Sequence, residues 1–147
     1  MLTDYYDLPI TTKSQAAQAC FNSGIHKLLG FEADVSEPLR DAVAHDPGFA
    51  LGHAVLARAL MMEGDMPGAA KAIGEASALA SGTTDREKSH VNAMSLLISG
   101  QGPQAYAAIR EHADQWPRDA VVAQTCSSVF GLIGFSGQPG REAEILA

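Results

Sequence analysis

The stretch LARALMMEGDMPGAAKAIGEA, residues 56–76, decides the fold. Leu56, Ala57 and Leu60 before Gly64, and Ala69, Ile73 and Ala76 after it, return at steps of three and four. That is the spacing of amphipathic helices. Gly64-Asp65 interrupts the run, and Pro67 suits the first turn of a second helix. The stretch therefore reads as a helical hairpin, with helices over about 49–63 and 67–80.

Working outward, the hairpin recurs. Gly30, Gly64, Gly100 and Gly134 follow one another at intervals of 34, 36 and 34 residues. Seven positions before each stands a small residue: Ser23, Ala57, Ala93 and Ser127. Four before come His26, Leu60, Leu96 and Phe130, and nine after come Leu39, Ile73, Ile109 and Ala143. Val35, Ala69 and Ala105 stand five after the first three glycines, and Pro47, Ser81 and Pro117 stand seventeen after them. A period of this length marks a repeat array, because one hairpin cannot bury its apolar faces alone and stacks on a neighbour. The small residue lets paired helices approach, and the breaker at the unit's end prevents one long helix. The expected fold is all-α, an α-solenoid of antiparallel helix hairpins with about three and a half repeats. The units span about 12–48, 49–83 and 84–118, with an incomplete one over 119–147.

Local signals set the expected boundaries. Residues 1–11 read as an extended lead-in, and Thr12 with Gln15 has the form of a capping box. Gly30 is expected to end the first helix in the left-handed conformation. Ser36 is expected to cap the next helix, with Pro38 in its first turn, and Thr84 with Glu87 forms a second capping box. At the far end Val129, Phe130, Leu132, Ile133 and Phe135 need a packing partner, whereas arrays finish with a polar cap. The chain is therefore expected to be the N-terminal part of a longer solenoid. Gly131, Gly134, Gly137 and Gly140 suggest an anion cradle or an inter-repeat turn, and with no strand before them the turn is favoured.

Composition narrows the function classes. Ten Lys and Arg against 17 Asp and Glu give a formal charge of −7, with no basic cluster. Nucleic acid is thereby disfavoured as a partner. The amphipathic stretches are not lysine-rich and no apolar run spans a bilayer, so a membrane is disfavoured too. Cys20 and Cys126 read as isolated thiols, and the first fifteen residues carry no signal-peptide pattern. A reducing, cytoplasmic setting is expected.

The register from Leu56 to Ala76 resembles the tetratricopeptide repeat, as do the unit around 89–117 and the weaker one over 16–47. Several runs also resemble the N-terminal part of the tetratricopeptide repeat protein 38 family. They are Thr12 with Ser14, AVAHDPGFALGH at 42–53, REKSHVNA at 86–93, WPRDA at 116–120 and GFSG at 134–137 ahead of Arg141. The resemblance implies a helical-repeat fold in a longer protein and supplies no reaction.

No constellation in the chain reads as catalytic. The five histidines lack metal-ligand spacing, and neither a C-x-x-C nor a G-x-S-x-G run occurs. No catalytic residue, metal or cofactor is expected. His90 beside Glu87 and Arg86 reads as a helix-start polar cluster closed by local hydrogen bonds, ahead of a base–orienter pair. His26 and His112 read as satisfied core histidines. In tetratricopeptide-like arrays the first helix of each hairpin lines a concave groove. By register that groove holds Leu51, Ala54, Arg58 and Met61, then Glu87, His90, Met94 and Leu97, then Gln124. Such a lining suits an amphipathic helix or an extended apolar peptide. Later repeats or residues 5–10 are the alternative covering of that surface. The expected function is a non-enzymatic scaffold binding a protein or peptide in that groove. The alternatives are the scaffold part of a longer helical enzyme and self-association through the C-terminal hairpin.

Overall fold

A computed structural model describes residues 2–30 and 32–127. Expectations placed on Val129, Phe130, Leu132, Ile133, Phe135, Gly134, Ala143 and the glycine-rich run to Arg141, including the C-terminal hairpin, lie outside the described residues. The described part is all-α. Seven helices follow in order: α1 Gln15–Leu29, α2 Ser36–His45, α3 Ala50–Met62, α4 Met66–Leu79, α5 Asp85–Ile98, α6 Gly102–Gln115 and α7 Ala120–Ser127. A single 3-10 turn, Ala80–Gly82, follows α4.

Consecutive helices pack in pairs, α1 with α2, α3 with α4 and α5 with α6. Further contacts join α2 to α3, α3 and α4 to α5, α6 to α7, and α1 to α7. The second-helix columns of the sequence period form the seams. Val35, Ala69 and Ala105 are all buried, as are Leu39, Ile73 and Ile109. The central helix α3 is buried on every side from Ala50 to Leu60. A helix apolar all round belongs in a core. One aromatic pair, Phe21 on α1 and Phe49 before α3, has ring centroids 4.9 Å apart.

The turns repeat at the level of single hydrogen bonds. After α3 the N–H of Asp65 reaches Leu60 O at 2.8 Å, and after α5 the N–H of Gln101 reaches Leu96 O at 3.0 Å. Gly64 and Gly100 adopt φ of 85° and 78° in these turns. This is the helix-ending motif whose left-handed residue favours glycine. In the first unit the matching bond runs from Glu32 N–H to Lys27 O, one residue later than the glycine column implies. Gly30 consequently keeps a φ of −88°, a correction to its expected left-handed form. The close-approach residue moves with it. A Cβ on Gly24 would lie 2.5 Å from the Leu39 side chain, while Ser23 is exposed. The first turn is one residue tighter, so first-helix features slip and second-helix features stay in register.

Two expected caps are also corrected. Ser14, not Thr12, caps α1 by accepting from Ala17 N–H at 3.1 Å. Thr12 instead donates to Asp46 Oδ2, tying the lead-in to the α2–α3 turn. Ser36 caps nothing and donates to Glu63 Oε1 at 2.9 Å. The Thr84–Glu87 capping box forms as expected. Residues 2–10 are not a simple extended lead-in. They close into a loop through an isolated Thr3–Pro9 bridge, with Asp4 Oδ1 accepting from Tyr6 N–H and Leu8 N–H.

Candidate functional site

The first turn of α5 faces the N-terminal loop, and the polar groups of the protein converge there. Glu87, held in place by its capping box, is fully buried. Its Oε1 accepts from Thr11 N–H and its Oε2 from Thr11 Oγ1, each at 2.6 Å. Oε2 also accepts from Thr84 N–H at 3.0 Å. One residue earlier, Arg86 is buried and divided between three partners. Nη1 donates to Asp119 Oδ2 at 2.9 Å, Nη2 donates to Pro9 O at 2.8 Å, and Asp4 Oδ2 lies 3.9 Å away. Asp119 arrives from the α6–α7 turn, where its own N–H closes on Trp116 O.

His112 on α6 completes the cluster and is a satisfied core histidine. Its Nε2 donates to Asp119 Oδ2 at 2.8 Å, and its Nδ1 lies 2.8 Å from Ser89 Oγ. Serine, imidazole and carboxylate thus line up as in a nucleophile–base–orienter chain. The carboxylate oxygen in that chain is shared with Arg86, which takes up the negative charge an orienter would offer the imidazole. The arrangement works as a clasp between α5, α6 and the α6–α7 turn.

Burial and pairing divide the charged groups. Burial works to raise the Asp119 carboxyl, but the His112 hydrogen bond and the charges of His90 and Arg86 outweigh it and hold Asp119 below the usual carboxylate range. Asp4 moves upward: its burial outweighs the Leu8 and Tyr6 amides and the more distant Arg86. His90 has 1% of its surface exposed, and neither ring nitrogen has a hydrogen-bond partner among the described residues. Its burial pushes the imidazole down to about 3, against the pull of Asp119. The expected local closure of His90 with Arg86 and Glu87 is therefore corrected. Those two side chains bond outward, to the loop and to α7's approach. His26 is corrected as well, since it lies at the surface 6.2 Å from the Tyr5 ring.

The nine residues expected along an open groove do not face open solvent. Leu51, Ala54, Arg58, Glu87, His90, Met94 and Gln124 are buried, and Met61 and Leu97 are half-buried. Two elements reach this surface. The N-terminal loop lies on α5, and Gln124 on α7 donates to Leu28 O at 3.2 Å while accepting from Arg58 Nη2 at 3.2 Å. That glutamine brings α1, α3 and α7 together. Asp4, Thr11, Ser89 and Asp119 escaped the sequence reading, and Arg86 entered it only as a neighbour of His90. A charged residue one helical turn ahead of His90 and on the same face was the available signal for Arg86. The others come from turns and a lead-in without periodicity.

Elsewhere, His53 holds the α2–α3 turn, with Nε2 2.8 Å from Pro47 O and Nδ1 3.2 Å from Glu75 Oε2. A cleft of about 590 Å³ lies between residues 10–14 and the end of α2, lined by residues including Thr12, Lys13, His45 and Asp46. Among the described residues no group of three or more His, Cys, Asp or Glu is placed to hold a metal, and no helix is long and apolar enough to cross a membrane. Comparison with family models, curated proteins and solved structures finds no match.

Proposed function

We propose that the chain is a helical-repeat scaffold of the tetratricopeptide type, an α-solenoid that holds segments of other proteins. The resemblance to the tetratricopeptide repeat protein 38 family belongs to the same proposal. The recurring pairs, with matched turns at Gly64 and Gly100, support the repeat reading. One observation carries the binding reading: an irregular peptide, residues 2–12, already lies across α1, α5 and the α6–α7 turn. Gln18 of α1 donates to Thr3 O, Arg86 of α5 to Pro9 O, and Arg118 before α7 to Tyr6 O. Side chains that bond to a peptide's main chain are how an array holds a segment without secondary structure. The groove is thus a narrower surface than the sequence suggested, centred on the start of α5.

A thermal-shift screen against an array of twelve-residue peptides tests this. A ligand at a hundred times its Kd adds about 2.7 kcal/mol to stability. The reading fails if no peptide raises the midpoint at millimolar concentration. The second reading, a scaffold within a longer helical enzyme, draws on the Ser89–His112–Asp119 alignment. Labelling of Ser89 by a fluorophosphonate would favour it over the clasp.

A further inference from the structure

The contacts that hold residues 2–12 divide into two kinds. Three donors meet main-chain carbonyls, at Thr3, Tyr6 and Pro9, and would accept almost any side chain there. Three positions are read by their side chains. The Asp4 carboxylate lies near Arg86, Ile10 is fully buried in the core cluster, and the Thr11 hydroxyl and amide both meet Glu87. Leu2 and Tyr6 pack partly against the core, Thr12 is held separately by Asp46 of the α2–α3 turn, and Tyr5, 59% exposed, and Asp7 at the surface are unread. A surface that fixes three positions and leaves others exposed is built like a receptor for a short motif.

We propose that α1, the start of α5 and the α6–α7 turn form a docking groove for a peptide of defined pattern, with residues 2–12 as its tethered occupant. The pattern is an Asp or Asn side chain followed six residues later by an aliphatic side chain and then a hydroxyl. This rests on the scaffold reading and names the class of partner. A partner enters by displacing the tethered segment. The tether opposes it with an effective concentration in the millimolar range, as short linkers do. Occupancy by a partner is therefore gated by release of the chain's own N-terminus.

The test uses the full chain and a fluorescein-labelled peptide of residues 2–13. Ile10→Asp, which places a charge in the core position, frees the segment. Anisotropy is expected to show the peptide binding this variant at least tenfold more tightly than the unaltered chain. Peptides carrying serine at the Ile10 position or alanine at the Thr11 position are expected to bind at least tenfold more weakly, a change that leaves the protein untouched. A helical Ile10→Asp chain that ignores the peptide overturns the proposal. If that variant loses its helicity, hydrogen exchange on the unaltered chain decides. Ile10 and Thr11 amides that exchange at least tenfold faster than those of α3 support a releasable segment, and exchange only through global unfolding overturns it. A binder found in the twelve-residue array with neither signal here leaves the scaffold reading standing and removes this one.

Discussion

Replacing His90 with methionine should remove the acid sensitivity that this side chain gives the fold between pH 7 and 5. The imidazole is buried without a hydrogen-bond partner among the described residues, and burial lowers it to about 3. In the unfolded chain it protonates near 6.5. A depressed folded value means that the stability is complete above about 6.5 and is lost as pH falls toward 3. At pH 5 the unfolded state gains about 2 kcal/mol from protonating this one side chain, with almost no matching gain in the folded state. Methionine fills similar space, bends around its neighbours and carries no proton. It also removes a buried polar ring, which stabilises the variant at neutral pH. Urea titrations at pH 7.5, 6 and 5 read the effect as the difference between unaltered chain and variant. Every other titrating group is common to both proteins and cancels. The difference should grow by about 2 kcal/mol from pH 7.5 to 5. Parallel curves for the two proteins would refute the reasoning, because His90 would then take a proton as readily folded as unfolded.

Three further outcomes follow from the geometry. Thr84→Ala removes the hydroxyl that accepts from Glu87 N–H, and thermal unfolding should show a loss of about 1 kcal/mol. Gly24→Ala and Gly74→Ala should differ in sign. A Cβ at Gly24 meets Leu39 at 2.5 Å and should cost about 1–3 kcal/mol, while Gly74 has nothing within 4 Å and should gain about 0.5–1 kcal/mol in a denaturant melt. Asp4→Asn keeps an oxygen for the Tyr6 and Leu8 amides and removes a charge whose carboxyl is raised by burial. The variant should be the more stable at pH 7, and the advantage should vanish below about pH 3.8, where the native side chain is protonated in both states.

The columns that were legible in the sequence are those where packing dictates residue type. Val35, Ala69 and Ala105 must be small or branched to fit a helix seam, and Leu39, Ile73 and Ile109 must fill it. Periodicity reports such positions because each helix pair solves the same steric problem. It failed in the first helix, where a turn shorter by one residue moved the contact from Ser23 to Gly24 and left His26 in solvent. A one-residue slip is invisible when the glycine column continues unbroken at Gly30. The nine residues read as a groove lie on α3, α5 and α7, but their exposure depended on features such as residues 2–12 and Gln124. Neither obeys the period: the loop is shaped by Asp4 and a bridge, and Gln124 acts on a carbonyl of α1 far away in sequence.

The opposite shifts of Asp4 and Asp119 come from burial that the partners of Asp4 do not offset and those of Asp119 do. A single guanidinium serves both carboxylates, at 2.9 Å from Asp119 and 3.9 Å from Asp4. The nearer one also receives His112, so its charge is well compensated, and the farther one relies mainly on two amides of its own loop. Glu87 needs no cation, because amides and hydroxyls of Thr11 and Thr84 surround it. The N-terminal segment is therefore anchored unequally. Its Thr11 end is held by two short hydrogen bonds to a carboxylate, a strong class of contact. Its Asp4 end carries the cost of a buried, poorly paired charge. On the docking proposal, the Tyr6 and Leu8 amides should therefore exchange faster than that of Thr11, and equal protection along the segment would refute this inequality.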